Sequence, residues 1–172
     1  MAESLLSSSQ NIQRDLAVAF HLRGVLYYTE KNFQKAEGDI QQSLAIWKKA
    51  NPNMMVLMAV SLLQLAKIKV ELQKFQEAEL IFYQVLGIYQ NHFLFLEEWS
   101  TIELLIDMLK QQVRFEQSKQ LCLQFISKIR FSPDFQSGPN HPFLISPMKK
   151  LSEFLEGNEK NQNEQLALYC SE

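Results

Sequence analysis

Residues 73–89 read QKFQEAELIFYQVLGIY, and the spacing of their apolar side chains decides the fold. Counted from Ala78, apolar residues stand at +4, +7, +8 and +11, which is the pattern of one buried face on an α-helix. An aromatic residue, Phe75, stands three places before Ala78. The stretch therefore predicts an amphipathic helix whose small residue lies at a close crossing with a neighbouring helix.

The same pattern occurs twice more along the chain. It begins 42 residues earlier at Phe33, and 40 residues later at Phe115. The equivalent positions are Ala36, Ile40, Ser43, Leu44 and Trp47 in the first copy, Phe82, Val85, Leu86 and Tyr89 after Ala78 in the second, and Ser118, Cys122, Phe125, Ile126 and Ile129 in the third. A helical pattern that recurs every 40 to 42 residues is typical of a helical solenoid.

The predicted fold class is all-α: a right-handed α-α superhelical solenoid of three helical hairpins and a C-terminal capping helix. The hairpins are expected at about 16–50, 54–90 and 96–130, and the capping helix at 147–156. We expect the first helix to start near Ser9 or Asn11, and Ser146 to cap the last helix with Pro147 in its first turn. The predicted helical domain is 11–156, between a flexible N-terminus, 1–10, and a tail, 157–172.

Composition agrees with a helical protein that carries no strong charge. The chain has 172 residues, 47% of them hydrophobic, with only five glycines and five prolines to make the turns of a β fold. A net charge of −2 gives no basic surface for nucleic acid. We expect no membrane span and no secretory signal, and Cys122 is predicted to be a reduced, buried thiol. The predicted location is cytoplasmic.

No constellation of residues indicates catalysis. The three histidines, His21, His92 and His141, are far apart and lack neighbouring ligands at metal-binding spacing. The five glycines do not form a phosphate-binding loop or a nucleophile elbow. We expect no enzyme, no metal and no cofactor.

Several of these residues resemble tetratricopeptide (TPR) repeats. Small and aromatic residues hold the places of Gly24, Tyr27 and Phe33 in that family, and Ala66 holds the place of Gly24 in the second hairpin. The long period, the alanine-glutamate pairs and the junction Gly-Pro-Asn-His-Pro at 138–142 are similar to the repeats of kinesin light chain and nephrocystin. In the third hairpin the small residue is replaced by Ile106.

The resemblance implies a protein that binds other proteins. It implies an adaptor or scaffold whose first helices line a groove for an extended or helical segment of a partner. The asparagine pairs with which kinesin light chain repeats grip a peptide are absent, and the inner face lacks the lysine and asparagine clamp for chaperone tails. A dedicated holding chaperone and a structural subunit of a larger assembly stay open as alternatives.

By repeat spacing, the groove should be lined by three residues from each first helix. The predicted binding residues are His21, Val25 and Tyr28 in the first hairpin, Leu63, Lys67 and Val70 in the second, and Glu103, Asp107 and Lys110 in the third. This face changes from apolar to charged, which favours an amphipathic ligand with a basic residue at the acidic end. In the competing interpretation the groove is filled by the chain's own residues 166–169.

Overall fold

The computed structural model describes residues 2–49, 54–132 and 142–154, with side chains from residue 11 onward. Within these ranges no strand occurs, and the predicted all-α fold class is confirmed. The long helices are α1 (Ala2–Thr29), α2 (Phe33–Lys49), α3 (Met55–Glu71), α4 (Phe75–Asn91), α5 (Phe95–Gln111) and α6 (Phe115–Phe131). A 3-10 turn, Pro142–Leu144, leads into α7, which is helical over the described residues 145–154.

The repeat pattern read from the sequence is confirmed in detail. The second helix of each hairpin begins at the predicted aromatic residue and runs for 17 residues. From the small residue onward, every position of the repeated pattern is buried, and Ala36, Ala78 and Ser118 have no exposed surface. The aromatic residues that begin the pattern are only partly buried, and Phe115 is 45% exposed. Periodicity identified these residues because each helix hides only one face, and a 3.6-residue period marks that face in the sequence.

The turns that precede α2, α4, α5 and α6 share one backbone geometry. Each has a residue with positive φ two places before the helix: Lys31, Gln73, Phe93 and Val113. In the last turn, Arg114 N donates to Leu109 O at 2.9 Å and Val113 N donates to Lys110 O at 3.0 Å, and the other three turns have the same pair of bonds. This is the Schellman arrangement, which satisfies the last carbonyls of a helix and reverses the chain in three residues.

Gly24 allows α1 and α2 to approach each other closely. A Cβ atom at this position would lie 2.7 Å from Ile40 Cδ1 and 3.3 Å from Ala36 O. Ile40 is fully buried, so its side chain has little room to move aside. Glycine is therefore required at the crossing.

The chain divides into two compact units, Met1–Thr101 and Ile102–Glu172, and the boundary falls inside α5. In the N-terminal unit, α1 packs on α2, α2 on α3 and α3 on α4. Lys69 on α3 joins these layers because its buried ammonium binds both Glu37 on α2 and Glu77 on α4. In the C-terminal unit, α6 contacts the 3-10 turn.

Two predicted helix starts were wrong. α1 begins at Ala2, before Ser9 and Asn11, because residues 2–23 contain neither glycine nor proline, and serine lowers helix propensity by only a few tenths of a kcal/mol. α7 begins at residue 145, before Ser146, because the 3-10 turn continues directly into it. The predicted end of the capping helix at 156 and the tail 157–172 lie outside the described residues.

Candidate functional site

The predicted binding residues of the first two hairpins lie on neighbouring helices. His21 Nδ1 on α1 is 3.2 Å from Ser61 Oγ on α3, and Tyr28 OH donates to Glu71 Oε1 at 3.3 Å. These two contacts fix α1 beside α3. The side chains that follow at helical spacing on each helix therefore form one continuous face, which we call the α1/α3 face.

The α1/α3 face is largely apolar and partly open to solvent. Val18 and Val60 are exposed, and the predicted residues Val25, Leu63 and Val70 are half-buried. Along each helix, the positions of this face follow the spacing i, i+3, i+7 and i+10. The predicted Lys67 stands at the i+7 position of α3 and is also half-buried. An apolar face that the hairpins leave accessible is the kind of surface on which an amphipathic segment packs.

His21 takes part in a chain of polar contacts that links three helices at this face. Its ring nitrogen contacts Ser61 Oγ, which lies 3.2 Å from the buried Ser43 Oγ on α2, so the three side chains link α1, α3 and α2. Burial lowers the pKa of His21 below its ordinary value of 6.5, because the imidazolium loses hydration. At neutral pH this residue is an uncharged hydrogen-bonding group.

The predicted binding residues of the third hairpin face a different neighbour, the chain's own helix α7. Ser146 Oγ donates to Glu103 Oε1 at 2.9 Å, and Lys150 Nζ donates to Asp107 Oδ1 at 3.1 Å. Lys110 Nζ lies 3.9 Å from a carboxylate oxygen of Glu153 and 4.5 Å from the centre of the Phe154 ring. All three predicted residues of α5 therefore contact α7.

A signal for this contact was present in the sequence. Ser146 follows Glu103 by 43 residues, and Lys150 follows Asp107 by the same number. Tyr28 and Glu71, which join α1 to α3, are also 43 residues apart. Bonds at the repeat length join equivalent first helices, so α7 occupies the place of the first helix of a fourth hairpin.

The thiol of Cys122 lies in the interior of the C-terminal unit, as predicted. It is free and fully buried, and burial raises its pKa to about 11. The ammonium groups of Lys150 and Lys110 oppose this shift. A thiol with this pKa is protonated and unreactive at neutral pH, so Cys122 has a packing role.

A second apolar face, on α1 alone, was missed in the sequence. Ile12, Leu16, Leu22 and Leu26 are all exposed, and at 100° per residue they share one side of α1. The signal was the i, i+4 spacing of Ile12 with Leu16 and of Leu22 with Leu26, since a solvent-facing helix side ordinarily carries polar residues there.

Within the described ranges, no group of three or more histidine, cysteine, aspartate or glutamate side chains is arranged to hold a metal ion. Among the helices of those same residues, none has the length and apolarity needed to cross a membrane.

The comparison with protein families agrees with the hairpin geometry. Residues 15–91 match the tetratricopeptide repeat family. This part of the chain is similar to tetratricopeptide repeats. The matched residues run from the middle of α1 to the end of α4 and so include the residues of α1 and α3 that form the α1/α3 face. Tetratricopeptide repeats generally mediate protein–protein interactions. No curated protein matches the sequence.

Proposed function

We propose that the protein is a non-enzymatic adaptor or scaffold that binds a segment of a partner protein on the α1/α3 face. The observation that carries the proposal is the row of accessible apolar side chains on this face, Val18, Val25, Val60, Leu63 and Val70. Burying such side chains stabilises a complex by about 25 cal/mol per Å² of apolar surface, before the cost of ordering the ligand.

The chemistry of the face also describes the ligand. A helical or extended segment with apolar residues on one side matches the valine and leucine side chains. Lys67 supplies a positive charge among them, so an acidic residue in the ligand is favoured at that point. In α5 the equivalent carboxylates already accept bonds from Ser146 and Lys150. We therefore place partner binding in the N-terminal unit.

The repeats are proposed to be of the long kinesin light chain and nephrocystin type. Support comes from the 42- and 40-residue spacing of the aromatic residues that begin α2, α4 and α6, and from the bonds between first helices at 43 residues. A cytoplasmic location belongs to the same proposal, and the free, buried thiol of Cys122 supports it.

Affinity capture followed by quantitative binding tests the proposal. The wild-type chain should retain one stoichiometric partner, and Val60→Glu, which places a carboxylate on the α1/α3 face, should weaken its binding at least tenfold. The matched control is Leu80→Glu, at a leucine on α4 that is 73% exposed. Circular dichroism should show that both variants are folded.

If Leu80→Glu abolishes binding and Val60→Glu leaves it unchanged, the assignment of the face is wrong. Capture of many proteins in substoichiometric amounts would favour a holding chaperone over an adaptor.

A further inference from the structure

The exposed face of α1 is too apolar for a surface that stays in water. Ile12 is 68% exposed, Leu22 is 62% exposed and Leu26 is 55% exposed. At 100° per residue, these side chains and Leu16 fall within an arc of about 120°. The arc borders the side that faces α2 at Arg23, and it borders the α1/α3 face at Leu22. Contiguous apolar side chains of this kind mark a contact with another protein surface.

The residues of this arc are arranged symmetrically about Ala19. Ile12 and Leu26 stand seven residues on either side of it, and Leu16 and Leu22 stand three residues on either side. If two copies of α1 lie antiparallel with Ala19 at their crossing, Ile12 of each meets Leu26 of the other. The small side chain of Ala19 allows the two helix axes to approach closely.

The charges in the arc have the same symmetry, with opposite sign. Asp15 and Arg23 stand four residues before and after Ala19. The antiparallel arrangement places each Asp15 opposite Arg23 of the other copy, and so forms two ion pairs related by the two-fold axis.

Arg23 is held in place by contacts within its own hairpin and still remains accessible. Its Nε and one terminal nitrogen donate to the two carboxylate oxygens of Asp39, at 2.5 and 2.8 Å, and its guanidinium lies 5.3 Å from the centre of the Phe20 ring. The side chain nevertheless stays 55% exposed. A guanidinium has five N–H donors, so this fixed group can also donate to a second carboxylate.

The length of α1 gives a separate reason for a partner. α1 has 28 residues, whereas α2, which packs against it, has 17. Among the described side chains of α1, the first buried one is Ala17, and residues 11–16 are exposed. A helix segment with no packed face is marginally stable in water, and a second helix laid along it would stabilise it.

We propose that this face binds a second copy of the chain, through an antiparallel α1–α1 contact with the two-fold axis at Ala19. The order of apolar and charged residues is self-complementary, which favours a second copy of the chain as the partner. In an isologous interface, if residue i of one copy meets residue j of the other, residue j of the first copy also meets residue i of the second. A contact of one helix pair is small, so the dimer has a dissociation constant on the order of 10 μM. The contact adjoins the α1/α3 face at Leu22, which stands four residues after Val18.

Sedimentation velocity on the full chain, from about 1 to 200 μM, measures this equilibrium. The wild type should change from monomer to dimer across the range. Asp15→Arg places an arginine opposite Arg23 of the other copy at both ends of the contact, and it leaves the Arg23–Asp39 bond intact. The repulsion should raise the dissociation constant of the dimer at least tenfold. The matched control is Glu116→Arg, which makes the same charge change at an exposed position on α6, and it should dimerise like the wild type.

Disulfide trapping tests the orientation of the two helices, in a background with Cys122→Ala and Cys170→Ser. Ala19→Cys should cross-link to itself on mild oxidation. Ile12→Cys copies should cross-link to Leu26→Cys copies in a mixture and should not cross-link to themselves. The proposal is overturned by a monomer at every concentration, by equal effects of Asp15→Arg and Glu116→Arg, or by self-linking of Ile12→Cys. A chain that stays monomeric would leave this face to a different protein or to the chain's own residues.

Discussion

Equivalent positions on the first helices have opposite character in the two compact units. In the N-terminal unit the middle positions of the predicted site are Val25 on α1 and Lys67 on α3, and most of their neighbours are apolar and partly open. In the C-terminal unit the equivalent residue is Asp107, which is bonded to Lys150 of α7. One repeat position therefore belongs to an accessible face in the first unit and contacts a helix of the same chain in the second.

Under the proposed function, this difference limits the binding surface to the N-terminal unit. Apolar side chains on α1 and α3 gain by contact with a ligand, since nothing in the described chain covers them fully. The carboxylates of α5 gain little from a ligand, because Ser146 and Lys150 already satisfy them.

The largest expected effect comes from the repeat position at which the side chains of the two units differ most in size. Gly24 and Ile106 stand at the same place in the first and third hairpins, and Ile106 is fully buried. Ile106→Ala should leave a cavity and lower the free energy of unfolding by about 2–5 kcal/mol. Urea denaturation followed by circular dichroism measures this loss, with Leu80→Ala as the exposed control at less than about 0.5 kcal/mol. Equal losses for the two variants would contradict the repeat alignment.

Gly24 should show the opposite size requirement. Gly24→Ala pushes a methyl group against the buried Ile40 and Ala36 O, so it should lower the free energy of unfolding by about 1–2 kcal/mol, after the gain in helix propensity. Gly38 on α2 has no atom within 4 Å of an added Cβ. Gly38→Ala should therefore stabilise the protein by up to about 1 kcal/mol. A stabilising Gly24→Ala would show that α1 and α2 are not in close contact.

The turns of the two units should differ in strain. Val113 has φ of 61° and Gln73 has φ of 58°, in the left-handed region that glycine adopts at least cost. The branched Cβ of valine suffers more there than the linear side chain of glutamine. Val113→Gly should raise the free energy of unfolding by about 1 kcal/mol, and Gln73→Gly should raise it by less. A loss of stability in both variants would mean that these residues are unstrained.

The smallest effect concerns pH and the first position of the site. Because the pKa of His21 is lowered in the folded state, the unfolded chain takes up a proton at higher pH than the folded chain does. The wild type should therefore lose stability as pH falls below 6.5, and His21→Gln should lose less over the same interval. Urea denaturation of both at pH 7.5 and pH 5 measures the difference. Parallel pH profiles would show that burial of His21 has no energetic consequence.

The sequence predicted the helices of the hairpins well because their evidence is periodic. In the pattern that begins at Phe75, apolar residues stand where the helix is buried on folding. The same relation holds for the patterns that begin at Phe33 and Phe115. The close approach of α1 and α2 at Gly24 also has its cause in the sequence, since only the absence of a side chain permits it. The start of α1 was predicted less well, because serine and asparagine can either cap a helix or lie inside one.

The candidate site was less predictable than the fold. Helical spacing identified Glu103 and Asp107 as residues on an inner face, but it could not state whether a ligand or the chain itself meets them. Their partners, Ser146 and Lys150, belong to a helix that the sequence suggested only as a cap. Both bonds join residues that are 43 apart, close to the 40- to 42-residue repeat, so a search for complementary side chains near that separation would have found them.

The central claim is that the α1/α3 face binds the partner and that the equivalent face of α5 is used within the chain. Calorimetric titration of the captured partner into two charge variants tests it most directly. Lys67→Glu should weaken binding at least tenfold. The exchanged pair Asp107→Lys with Lys150→Asp keeps the ion pair with its ends reversed, and it should bind like the wild type. Unchanged binding to Lys67→Glu together with lost binding to the exchanged pair would contradict the account.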